Sequence, residues 1–187
     1  FLYVSGMIRR IILACNVAVF LFAGCRNAPF EAYKQKFKEF KLPIAIKGCY
    51  LSDSNFVELA PQQDTPVYRD KILAYCTFGT NGKYFAALTI SPADCYIPTL
   101  FTYDQQGNKI DEKAINIGGC GADCGFTCEE YMVINPDYSI YTSDTISEYQ
   151  CDTLGNEIPG TMQHYVVYKT GRLLATGKIE LSGEMKK

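Results

Sequence analysis

From residue 44 onward the chain alternates short β-prone stretches with turns, and this alternation constrains the fold more than any other feature. Segments 44–51, 72–78, 84–90, 99–103, 131–134, 147–151, 164–169 and 173–181 are rich in β-branched and aromatic residues, which suit a pleated, half-buried surface. Between them stand Thr80-Asn81-Gly82-Lys83, Gln105-Gln106-Gly107-Asn108, Asn135-Pro136-Asp137-Tyr138, Leu154-Gly155-Asn156 and Lys169-Thr170-Gly171-Arg172, where Gly or Asn supplies the positive φ of a tight hairpin. The close spacing, with no long helix read between strands, argues for antiparallel pairing. The fold class is therefore mainly β: an antiparallel meander of hairpins arranged as a sandwich, a small barrel or propeller-like blades.

One echo bears on that choice. Asp104-x-x-Gly107-Asn108-x-Ile110 recurs 48 residues later as Asp152-x-x-Gly155-Asn156-x-Ile158. Propeller blades repeat at about this period, but one common turn used twice would leave the same trace.

At 187 residues the chain suits a single domain. With 14 Tyr, 11 Phe and no Trp, Phe and Tyr are the aromatics available to the core. The balance of 18 basic against 20 acidic residues offers no basic stripe to neutralise phosphates, which excludes nucleic acid as a partner.

The N-terminal segment has a different character. After Met7, which reads as the start of translation, come Arg9 and Arg10, then an apolar run over 11–24 broken only by Asn16. A charged n-region before a short h-region is the pattern of an export signal. The run is too short to span a membrane comfortably, which takes about 20 residues. It ends in Leu21-Phe22-Ala23-Gly24-Cys25, which resembles the lipobox of bacterial lipoproteins, with Phe22 where Leu is usual. The resemblance implies cleavage before Cys25 and a diacylglycerol on its thiol. Each buried CH₂ would contribute about 0.8 kcal/mol of anchoring. Arg26, where an Asp would imply retention at the inner membrane, implies the outer membrane of the cell envelope. The expected organisation is a signal segment over 1–24, the lipid site and a helix over 25–43, and one β domain over 44–187.

The spacing predicts that helix over 28–42. Phe30, Tyr33, Phe37 and Phe40 would share one face, and Pro43 would end it. Such a helix would pack its stripe on the domain or lie on lipid.

Nine cysteines are present. Cys15 would leave with the signal and Cys25 would carry lipid, so Cys49, Cys76, Cys95, Cys120, Cys124, Cys128 and Cys151 remain. In an exported chain these read first as disulfides, and an odd number predicts a free thiol. Residues 118–128 hold Cys120, Cys124 and Cys128 among four glycines. That loop is read as a staple to neighbouring strands. The competing reading is a thiolate metal or thiol-redox site, with Asp123 or His164 as a further ligand.

No catalytic constellation emerges, and the sequence calls for no cofactor. His164, the single histidine, heads an apolar strand with no nucleophile elbow nearby. Glu129 and Glu130 are adjacent, so on a strand they would face opposite ways. Asp144-Thr145-Ile146 and Asp152-Thr153-Leu154 resemble the Asp-Ser/Thr-aliphatic acceptor for O-glycosylation in some anaerobic Gram-negative bacteria, which implies Thr145 and Thr153 as acceptors. The expected role is an envelope-anchored binding or structural module, whose loops meet a protein or a glycan. A ligand carrier with an apolar cavity is a further alternative.

Overall fold

The computed structural model describes residues 28–49, 51, 56–59, 72–118, 120, 121 and 123–187. Cys25 and the apolar run before it lie outside them. Within this range are one helix, α1 (Ala28–Lys34), and twelve strands.

α1 carries Glu31 in its first turn and Lys34 in its last, each suited to its end of the helix dipole. The two side chains pair at 2.8 Å, and the Phe30 and Tyr33 rings stack 6.2 Å apart. The chain divides into two compact units at Lys34/Gln35.

The helix is shorter than the aromatic spacing predicts. Lys38–Phe40 is instead a strand, β1, paired parallel with β4 (Ile72–Phe78). Strand pairing satisfies its backbone and sets Phe40 opposite Phe78; the Phe40 ring also meets Tyr75 at 5.5 Å. Phe37 makes an edge contact with Phe85 at 5.9 Å. The β domain thus begins before residue 44.

Two meanders follow in series. The first runs β4, β5 (Phe85–Ser91), β6 (Ile97–Tyr103) and β7 (Lys109–Ala114); the second runs β8 (Phe126–Ile134), β9 (Ser139–Glu148), β10 (Gln163–Leu173) and β11 (Ile179–Leu181). β1 and β3 (Val57–Leu59) pair with β4 in sheet A. β2 (Ile44–Lys47) pairs with β8, and β12 (Met185–Lys186) with β10, in sheet B. Every pairing except β1 with β4 is antiparallel. The chain passes from sheet A to sheet B between β1 and β2 through Lys41-Leu42-Pro43, whose Leu42–Pro43 bond is cis.

Both sheets feed one core. Cys76, Phe78, Ala86, Leu88, Ile90 and Leu100 come from sheet A, and Ile44, Ile46, Met132, Ile134, Ile140, Leu173 and Ile179 from sheet B. This makes the arrangement a β-sandwich. Leu88, Ile90, Leu100 and Ile134 are fully buried in it.

β7 and β11, the outer strands of the two meanders, are linked. Asp111 Oδ2 accepts the Ile179 N–H at 2.9 Å, Lys178 Nζ donates to Ile110 O at 2.9 Å, and Thr102 Oγ1 donates to Gly177 O at 2.7 Å. A side chain at Gly177 would come within 2.8 Å of Ile110.

The turns explain the sequence echo. In the 104–108 turn, Asp104 N–H donates to Asn108 O at 2.9 Å and Gly107 N–H to Asp104 O at 3.1 Å; Asp152, Gly155 and Asn156 repeat both bonds at the same distances. The 174–178 and 135–139 turns share this pattern, with Tyr138 at φ 64° where the others place Gly. One three-residue hairpin turn closed by a bulge thus occurs four times among the described residues. The 104–108 copy joins β6 to β7, whereas the 152–156 copy lies within the β9–β10 connection, so the echo is turn chemistry and not a blade repeat. Two strand assignments also change. Lys169-Thr170-Gly171-Arg172 lies within β10, where Gly171 lets the backbone of Glu180 approach closely. The single strand expected over 173–181 is broken by the 174–178 turn.

Candidate functional site

The period of two decides what β8 and β9 place inside. Cys128, Glu130, Met132 and Ile134 face the same way as Ile140, Thr142, Asp144 and Ile146, and Glu130 stands directly opposite Asp144. Glu129 faces outward, where it pairs with Lys47 at 3.0 Å. Glu130 is 9% exposed and Asp144 2%. Burial, reinforced by the charge of Asp144, pushes the Glu130 carboxyl up to about 7. Burial pushes Asp144 up to about 6, opposed by the Lys169 ammonium and aided by Glu184. Lys169 Nζ is itself held by Asn116 O and by Glu184, each at 3.2 Å. Asp144 Oδ1 is buried without a hydrogen-bond partner.

Disulfides lie against these acids. Cys49, just after β2, is bonded to Cys95 in the β5–β6 connection, with Cα atoms 4.3 Å apart. Cys120 is bonded to Cys128 and Cys124 to Cys151, at Cα separations of 5.3 and 6.6 Å. The glycine-rich loop is therefore a staple. Cys76 is free and buried, and burial alone pushes its thiol up to about 12. The sulfurs of Cys49 and Cys95 lie within 4.8 Å of a Glu130 oxygen, and those of Cys120 and Cys128 within 4.8 Å of an Asp144 oxygen. The further ligands expected, Asp123 and His164, join neither group. Asp123 Oδ1 caps the Cys124 N–H at 2.7 Å. His164 Nδ1 meets Ser147 Oγ at 2.8 Å as a cross-strand pair on an extended strand, not on the sharp turn that presents a nucleophile.

The Cys124–Cys151 bond also tethers the long connection over 149–162. Its start is fixed where Tyr149 N–H donates to Gly125 O at 2.8 Å. Gly125 has φ 80°, and any side chain there would run into Tyr149 O. Asp152 Oδ1 accepts from the N–H groups of Leu154 and Asn156 at 2.8 and 2.9 Å, and Thr161 Oγ1 accepts from Gln150 N–H at 2.9 Å. This braced loop turns three apolar side chains to solvent: Leu154 is 84% exposed, Ile158 38% and Met162 40%. Thr153 sits exposed at its tip.

The outer face of sheet B is built from tyrosines and hydroxyls. Tyr131 and Tyr168 both stand opposite Ser143, and the Tyr141 ring lies 6.3 Å from Tyr131 and 6.0 Å from Tyr168. Lys187 Nζ reaches to 5.2 Å from the Tyr168 ring. Thr145 is exposed on this face, while the preceding Asp144 points into the core.

Sequence reading missed the acid pair and the tyrosine face. Its turn signals marked the tip of the apolar loop at Leu154. The period-two alternation of 126–134 could have revealed Glu130 facing the same way as Met132 and Ile134. Nothing in the sequence alone sets Asp144 opposite it.

Comparison with known proteins adds no identity: no family model, no curated protein and no solved structure matches this chain.

Proposed function

We propose that the protein is an envelope-anchored lipoprotein, held through Cys25 in the outer membrane, whose β-sandwich serves as a rigid module for binding a protein partner through the 149–162 loop. The observation that carries the reading is the exposure of Leu154, Ile158 and Met162 on a loop braced by a disulfide and by side-chain caps. Three of the four exposed large apolar side chains among the described residues fall on this one loop, and a loop ordered in advance loses less entropy on binding. The cysteine count supports the lipid assignment: three bridges and the buried Cys76 account for all seven downstream cysteines, so Cys25 is not needed for any of them.

The test is a photo-crosslinking residue at position 154 in the full chain, expressed in a Gram-negative envelope. A discrete protein adduct that disappears with Ile158→Ser and Met162→Ser is expected. Adducts to lipid alone, or none, would overturn the reading.

A second ligand class is favoured by Tyr131, Tyr141 and Tyr168 around Ser143. The Tyr side chain, apolar on its ring and polar at its own hydroxyl, suits a glycan, which presents apolar C–H faces and polar edges together. Glycan binding lost on Tyr141→Ala and Tyr168→Ala, with Leu154→Ser unaffected, would move the site to this face.

A further inference from the structure

We propose that Cys120, Cys128 and Asp144 form a redox-gated site for a thiophilic divalent cation of the zinc class, closed while the two sulfurs are bonded to each other. The proposal stands apart from the binding-loop reading and rests on two independent observations. The ligand atoms of all three residues lie within 4.8 Å of one another, the compass of a single ion. In addition, Asp144 is 2% exposed and its Oδ1 has no partner, an arrangement native proteins seldom leave unexplained.

The fold would deliver the donors to one ion. β8 and β9 fix Cys128 and Asp144 on one inner face through a continuous register. Cys120 lies between Gly118, at φ 89°, and Gly121, so its backbone can adjust as the sulfurs separate. Two thiolates, one carboxylate and a water make a four-coordinate set that suits zinc, with metal–sulfur distances of about 2.3 Å and metal–oxygen distances of about 2.0–2.2 Å. Such a set carries one net negative charge with a divalent ion. The Lys169 ammonium, which acts electrostatically on Asp144, would offset it.

Opening the site is a two-electron exchange. An external dithiol attacks the Cys120–Cys128 bond, is oxidised to its own disulfide, and transfers its two protons and two electrons to leave two cysteine thiols. The cation then displaces both thiol protons to solvent as two metal–sulfur bonds and one metal–oxygen bond form.

Cobalt(II) is the probe, because its absorption reports tetrahedral sulfur coordination, and zinc(II) is the competitor. The full chain is titrated with its disulfides intact and again after anaerobic reduction by a dithiol. The oxidised protein is expected to show no sulfur-to-cobalt bands; the reduced protein is expected to bind cobalt with such bands and release it to zinc. Asp144→Asn should keep all three disulfides when oxidised, yet weaken cobalt binding in the reduced form at least tenfold. Cys120→Ser with Cys128→Ser should abolish the bands. Equal affinity in Asp144→Asn overturns the proposal, as do bands that persist in the double serine variant. Failure of the reduced protein to bind cobalt, or loss of its β-sheet circular dichroism, does so too, since the site depends on the β8–β9 register.

Discussion

Glu130 on β8 and Asp144 on β9 face each other across sheet B, both turned into the sandwich and both nearly inaccessible to water. Two acids so placed resist ionising, first through burial and then, for Glu130, through the charge of its neighbour. An acid whose folded pKa lies above its unfolded value holds its proton longer in the native state, so stability falls as pH rises between the two. For Glu130 that window runs from 4.5 to about 7. The disulfide-bonded protein should therefore lose stability as pH rises from 5 to 7. Glu130→Gln should flatten that slope and raise stability at pH 7 by about 1 kcal/mol, a figure reduced for residual solvent screening. Denaturant midpoints at several pH values for both proteins are the check. A steeper slope in the variant would refute it.

Cys76 should be chemically silent while the fold holds. Thiolates, not thiols, react, and this thiol is buried at 0% exposure with its pKa pushed up to about 12. Without reduction, an alkylating reagent should add nothing to the described domain at neutral pH and one group after denaturation. Cys76→Ser should destabilise by about 1–3 kcal/mol by burying a hydroxyl.

The link between β7 and β11 can be cut at one atom. Asp111→Ala removes the acceptor of the Ile179 N–H and should cost about 1 kcal/mol. Amide exchange at Ile179 and its neighbours in β11 should accelerate, whereas exchange in β5 should change only by the global loss of stability. Protection at Ile179 unchanged from the parent would show that the bond does not hold the edge.

Gly125→Ala should affect the 149–162 loop most directly. It places a side chain against Tyr149 O at a φ of 80°, with an expected loss of about 2 kcal/mol. Incomplete formation of Cys124–Cys151, seen by peptide mapping, should accompany it. Gly121→Ala, where a side chain meets open space, is the matched control.

Much of this fold is legible in the chain because it is written locally. The 72–78 strand matches β4 to the residue. Asn81 and Gly82 take the positive φ values that their turn signal demands, and the opposite facing of Glu129 and Glu130 follows from alternation alone. The failures are also physical. β9 is built from Ser139, Thr142, Ser143, Thr145 and Ser147 as well as isoleucines, so hydroxyls masked its strand character. β7 is Lys-Ile-Asp-Glu-Lys-Ala, charged as an edge strand must be to avoid pairing with other chains, and therefore reads as a loop. Phe37 and Phe40 fit a helical stripe equally well. Only pairing with the distant β4 decides for a strand at residues 38–40. The acid pair and the disulfide partners depend on register and connectivity, which no local pattern records.

The passage of the chain from β1 in sheet A to β2 in sheet B sets how the molecule bears mechanical load. Tension transmitted through residues before Lys38 meets the three-residue pairing of β1 with β4 first. Only when that yields does it reach the four-residue pairing of β2 with β8. Beyond β2, Cys49 is bonded covalently to Cys95 in the β5–β6 connection, so the next load falls on a bond that spans the two sheets. The sandwich thus sets two short edge strands in front of a covalent stop, and a pull from the N-terminal side that frees β2 withdraws Ile44 and Ile46 from the core before it reaches that bond.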